Sequence, residues 1–174
     1  MTKYSVVISP PDTVIEAVRQ LKQQLRQAIG WYHSVNALAH ITFCEFHAGT
    51  DTLARQEAYI ARFAAGQSPV TLRFDHTGIF ASGAFYLAPD EASGQLLGRM
   101  MKDFQLGMRL PAYKPPATPH LSISRRLGAT QLPVAGTVIG EVDISFYCED
   151  IVLRRFNETR RQYDIYRRFP FGKV

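Results

Sequence analysis

At 174 residues, 46% of them hydrophobic, the chain is long enough for one well-packed domain and too short for several. No apolar run reaches the length of a membrane span, and Cys44 and Cys148 are too few and too far apart for a disulfide framework or a zinc site. A formal net charge of +5 favours anionic partners such as RNA or a nucleotide.

In chain order, Tyr4–Ser9 reads as a strand from its β-branched and aromatic content. Pro10-Pro11-Asp12 stops it and offers a helix N-cap. Val14, Val18, Leu21, Leu25 and Ile29 then recur at helical spacing, with Arg19, Lys22, Gln23 and Arg26 off that stripe, and Gly30 closes the helix. His40 opens the next strand. Thr50 or Asp51 caps a helix carrying Leu53, Ile60 and Phe63, and Pro69–Phe74 and Gly78–Phe80 read as strands. Ala84–Ala88 is a strand followed by Pro89-Asp90 as stop and cap; Leu96, Leu97, Met100, Met101 and Phe104 form the stripe of a helix ended by Gly107. A proline-rich loop leads to His120. Gln131–Ile139 reads as a weak helix broken by Pro133 and Gly136, and Val142–Tyr147, Asp150–Phe156 and Gln162–Arg168 alternate as strands.

Two tetrapeptides stand out: His40-Ile41-Thr42-Phe43 and His120-Leu121-Ser122-Ile123. Each is His, apolar, hydroxyl, apolar within a strand, so imidazole and hydroxyl share one face while the apolar residues enter the core. A pair of matches is expected by accident about 0.006 times in a chain of this composition. Such a pair suits general acid–base chemistry with hydrogen bonds to an oxyanion. His33, His47 and His76 lack the pattern and read as surface or capping residues. Cys44 shares strand parity with His40 and Thr42, which places it beside them.

Both tetrapeptides end the same unit of strand, helix, loop and strand, over about residues 4–45 and 84–125. The expected fold is therefore α+β: one domain over 1–174, a two-lobed internal duplication with antiparallel sheets lining a central cleft and helices packed outside. Each lobe would present one His and one hydroxyl. Arg125 and Arg126 follow the second motif and are candidates to contact phosphate. Strand alternation favours Arg126, and a strand that ends or bulges after Ile123 would favour Arg125. In the proline-rich loop Tyr113 could stack on a base and Lys114 meet a phosphate; Tyr86 is another candidate cleft aromatic. The doublets Arg154-Arg155, Arg160-Arg161 and Arg167-Arg168 put one arginine on either face of a strand, so half could flank a cleft and half face solvent; the plainer reading is a solvated, arginine-rich hairpin.

The paired motifs in a duplicated chain of this length resemble the two-histidine (2H) phosphoesterase superfamily, in particular its 2'-5' RNA ligase-like and RNA 2',3'-cyclic phosphodiesterase branch. Pro119, Arg125 and the closing segments from Asp150 and from Tyr163 suit that branch; Ser122 stands where Thr is commoner. The resemblance implies a metal-independent, cofactor-free phosphodiesterase that opens a 2',3'-cyclic phosphate on an RNA end or a small nucleotide, commonly leaving a 2'-phosphate. It implies His40, His120, Thr42 and Ser122 as catalytic groups and Arg125 as a phosphate contact. Which His is the acid stays open, as do RNA binding without turnover and reversible 2'-5' ligation. A monomer without an obligate protein partner or membrane contact is expected. So is a cytoplasmic location, because the N-terminus lacks a signal-peptide pattern.

Overall fold

The computed structural model describes residues 1–108 and 116–172. Eight strands and four helices follow one another along them: β1 (Thr2–Ile8), α1 (Asp12–Ile29), β2 (Ile41–Ala48), α2 (Thr50–Ala65), β3 (Val70–Ile79), β4 (Phe85–Pro89), α3 (Glu91–Gly107), β5 (Leu121–Ser124), α4 (Gln131–Ile139), β6 (Ile144–Cys148), β7 (Asp150–Asn157) and β8 (Gln162–Pro170). Every strand pairing is antiparallel. Among the described residues no helix is long and apolar enough to cross a membrane.

The strands form two four-stranded sheets in the orders β2-β1-β7-β8 and β5-β4-β3-β6. The plan is the same in both. A motif strand (β2 or β5) lies at the edge, the strand that opens its unit (β1 or β4) comes next, and a strand from elsewhere follows. That third strand is exchanged: β3, which follows the first unit, pairs with β4, while β7, which follows the second, pairs with β1. The exchange binds the lobes into one molecule around a single apolar core.

The helices brace the lobes crosswise. α3, from the second unit, packs on β2, and α1, from the first, packs on α4 and β5. Phe43 of the first motif meets Phe104 of α3 edge to face, with ring centroids 5.7 Å apart, and Gln105 Nε2 donates to the Phe43 carbonyl at 3.1 Å. Because Phe43 points into α3, the alternation of β2 turns Thr42 to the other face, away from that helix.

Local chemistry explains most boundaries. Asp90 caps α3 as expected, its Oδ1 accepting the Ser93 N–H at 2.8 Å. Gly30 ends α1 at φ 80°, a conformation open to glycine. Pro11 rather than Asp12 is the N-cap of α1, and Gly49 rather than Thr50 or Asp51 that of α2. α4 is continuous: Pro133 sits in its first turn, where a missing N–H costs no intrahelical bond. The two strands expected between residues 69 and 80 are one, β3, with a register shift between Phe74 and His76.

Candidate active site

His40 and His120 each sit one residue before the first residue of an edge strand, β2 and β5. His40 Nδ1–H donates to the Leu38 carbonyl at 2.7 Å, and His120 Nδ1–H donates to the Thr118 carbonyl at 2.8 Å. A carbonyl only accepts, so both rings are held as the Nδ1–H tautomer with the Nε2 lone pair free. The two motifs share a backbone device as well. Ile41 pairs with Ile8 and Thr42 with Val7, but Cys44 pairs with Val6; Leu121 pairs with Leu87 and Ser122 with Tyr86, but Ser124 pairs with Phe85. The fourth motif residue, Phe43 or Ile123, is thus the extra residue of a β-bulge in both strands.

The bulges settle two questions of parity. Beyond Phe43 the alternation is reset, so Cys44 turns to the opposite face from Thr42: it is buried, with Sγ 3.2 Å from Met108 Sδ, and does not border His40. Beyond Ile123 the expectation that Arg126 follows Ser122 also lapses. β5 ends at Ser124, Arg125 N–H donates to the His33 carbonyl at 3.2 Å, and Arg126 turns left-handed at φ 56°. The Arg125 charge acts on both His40 and His120 and lowers the pKa of each. The His33–Arg125 bridge ties the loop before β2 to the end of β5, and so joins one motif to the other.

Burial is the main cause of both shifts. It pushes His40 down to about 3, with the charges of Arg154, Lys22 and Arg125 adding to it, against the Leu38 carbonyl, which raises it. His120 is lowered by burial and then by Arg125, against the Thr118 carbonyl. Three cations therefore act on His40 and one on His120.

The sequence pattern sets Lys22 off the buried stripe of α1, and the structure reverses this. Lys22 is 2% exposed, and its Nζ donates to the Ala37 carbonyl at 2.6 Å and the Ser34 carbonyl at 3.2 Å. It anchors the loop that delivers His40. The signal was present: Lys22 follows Val18 by four residues and precedes Leu25 by three, which is the buried face. Burial leaves its pKa lowered to about 8.

Tyr86 of β4 pairs with Ser122, and its ring centroid is 5.3 Å from that of His120. Phe80, which the sequence pattern did not mark, stacks on Tyr86 at 4.2 Å and meets His120 edge to face at 5.0 Å. The Tyr86 ring lies over Gly78, where a Cβ would overlap its atoms. Gly78→Ala must displace that ring and is expected to cost about 1–3 kcal/mol in urea unfolding; no change in midpoint would mean that the ring moves freely. Tyr113 and Lys114 lie outside the described residues.

His33, His47 and His76 are exposed, as expected. The C-terminal arginines divide. Arg167 pairs with Glu57 and Arg168 with Asp150, each at 3.0 Å, and Arg160 pairs with Asp164, all at the surface. Arg154 departs from the solvated reading: it is 8% exposed, on the face that carries Thr42.

The family model described as the 2'-5' RNA ligase superfamily matches residues 10–160. The chain belongs to that superfamily. Among solved structures, Escherichia coli LigT in apo form is similar at TM-score 0.70 and 16% identity, over 99% of this chain and 98% of that one. TT0787 of Thermus thermophilus is similar at TM-score 0.68 and 18% identity over 98% of each chain. Usb1 of Kluyveromyces marxianus is similar at TM-score 0.61 and 9% identity, again over 98% of each. No curated protein matches the chain in sequence. At these identities the structural likeness speaks for the fold: the 2'-5' RNA ligase superfamily, or 2H phosphoesterase, fold of two antiparallel sheets with four helices among the described residues.

Proposed function

We propose that this chain hydrolyses a 2',3'-cyclic phosphodiester, at an RNA end or on a small nucleotide, without a metal ion and leaves a 2'-phosphate. The observation that carries the reading is the matched pair of imidazoles. Both are held with Nε2 free by the same carbonyl bond, in strands with the same bulge, within reach of one guanidinium. Membership of a family of phosphoesterases and ligases supports it. So does the fold relative E. coli LigT, known in complex with 3'-AMP, at TM-score 0.71 and 14% identity.

His40, the more strongly depressed of the two, acts as the base. Its Nε2 takes a proton from water as the water oxygen attacks phosphorus. His120 Nε2–H gives its proton to the 3'-oxygen as the P–O3' bond breaks, leaving a 3'-hydroxyl and a 2'-phosphate. Thr42 and Ser122 donate hydrogen bonds to the non-bridging oxygens, and Arg125 offsets the charge that gathers on them. Phe80 and Tyr86 set the orientation of the His120 ring.

The test is incubation of EDTA-treated protein with a cyclic-phosphate oligonucleotide and with cyclic mononucleotides, the products being resolved as 2'- or 3'-phosphates. Turnover to the 2'-phosphate, unchanged by EDTA, is expected. Activity that EDTA abolishes and a divalent ion restores would overturn the metal-free mechanism, and a 3'-phosphate product would overturn the assignment of the leaving oxygen.

A further inference from the structure

On the face of the sheet that carries Thr42 lies a buried charge with no ion-pair partner among the described residues. Ser5 of β1 pairs with Glu45 on one side and Arg154 on the other, so all three side chains leave the sheet on the face that carries Thr42, Val7 and Val152. Arg154 is 8% exposed. Its Nη2 donates to Ser5 Oγ at 3.2 Å and its guanidinium lies 4.9 Å from the Tyr163 ring centroid, while its buried Nε has no hydrogen-bond partner. Glu45, the carboxylate of that row, is engaged elsewhere: Lys3 Nζ sits 2.8 Å from one oxygen, and the Tyr163 hydroxyl donates to the other at 3.0 Å. Among the described residues Arg154 forms no ion pair. The Glu45 charge favours the guanidinium without pairing with it, and a buried guanidinium compensated only by a carboxylate shared with Lys3 and Tyr163 destabilises the fold that holds it. Its neighbours hold it in that state, with a stacked ring, one hydroxyl and a carboxylate tied to other donors.

We propose that Arg154 is a second anion subsite, which takes the phosphate group next to the one held between the two histidines. The proposal rests on the phosphodiesterase reading and deepens it: the preferred substrate carries a further phosphate beside its cyclic one. Thr42 pairs with Val7 and Arg154 with Ser5, so two strand spacings across the sheet and two residues along it, about 12 Å at the backbone, separate Arg154 from Thr42. That offset suits a second phosphate rather than the one Thr42 contacts. The Arg154 charge also reaches His40, which places the subsite on the His40 side of the site. The second phosphate is either the flanking diester of an oligoribonucleotide or a 5'-phosphate on a single nucleotide.

The experiment compares kcat/KM for a nucleoside 2',3'-cyclic phosphate, its 5'-phosphorylated form, and a dinucleotide ending in the cyclic phosphate. The enzymes are the wild type, Arg154→Met and Arg154→Lys. The wild type is expected to favour at least one two-phosphate substrate over the single-phosphate one by about tenfold or more, the order of one charged hydrogen bond. Arg154→Met brings that ratio close to one, through KM, and Arg154→Lys keeps part of it. Which two-phosphate substrate shows the effect identifies the source. Equal proportional losses on all three substrates, or an unchanged ratio in Arg154→Met, would overturn the subsite. The melting temperature separates a binding role from a structural one: it stays level or rises in Arg154→Met if the charge is kept for a ligand, and falls if the residue only supports the sheet. Should the wild type turn over none of the three, the phosphodiesterase reading has failed. Calorimetry with inorganic pyrophosphate then decides the subsite alone: tighter binding to the wild type than to Arg154→Met supports it, and equal binding ends it.

Discussion

If the proposed mechanism holds, replacing His120 by Ala is expected to lower kcat on a 2',3'-cyclic phosphate by about 10²–10⁴-fold, with KM changed by no more than a few-fold. The 3'-oxygen is a poor leaving group unless it is protonated as the P–O bond breaks. Among the described residues, the ring fixed by the Thr118 carbonyl and packed against Phe80 and Tyr86 has an Nε2 free for that proton. His40→Ala loses a similar factor because water is left without its base. Groups that act in one step are not additive, so the double variant should be scarcely slower than the worse single one. His120→Gln and His40→Gln keep much of the side-chain volume and guard against a folding artefact; circular dichroism and the melting temperature check it. Full activity in either His variant would refute the two-histidine mechanism.

The second large effect is the pH profile of kcat/KM, which reports the free enzyme. His40 is held down to about 3, so the base is already neutral over the working range and the acid limb lies near that value. His120 must be protonated to act, and its pKa is lowered from 6.5 by burial and by Arg125. The alkaline limb is therefore expected below pH 6.5, activity falling as pH rises through it. The negative phosphate favours the imidazolium, so in kcat the same limb moves upward. Arg125→Gln removes a positive charge beside His120, so its kcat/KM limb moves to higher pH even as turnover falls. A profile that stays level through neutral pH would show that His120 is not the acid.

Folding stability follows the same shift with its own sign. An unfolded His titrates near 6.5. The folded chain holds His40 neutral down to about 3, so its contribution is complete above pH 6.5 and is lost as pH falls toward 3.

The legible part of this protein is the part that local stereochemistry writes. Alternation put His40 with Thr42 and His120 with Ser122, the 3.6-residue period marked α1 and α3, and the repeated order of elements announced two similar sheets. Other features needed partners far along the chain. The strand exchange of β3 and β7 leaves no local trace, because either strand pairs acceptably with any unsatisfied edge and burial across the lobes chooses. The bulges at Phe43 and Ile123 appear only in register with β1 and β4, and they turned Cys44 inward and broke the line from Ser122 to Arg126. Lys22 looked solvated until the His40 loop folded over it and supplied two carbonyls.

Arg154 is the sharpest case. One of two adjacent arginines in a strand is bound to face inward, and the sequence by itself determined that much. Which one does so, and that Lys3 and Tyr163 would claim the nearby Glu45 first, only the tertiary structure decided. Alternation is a property of one strand. The balance of a buried charge depends on every group that three strands bring to the same face.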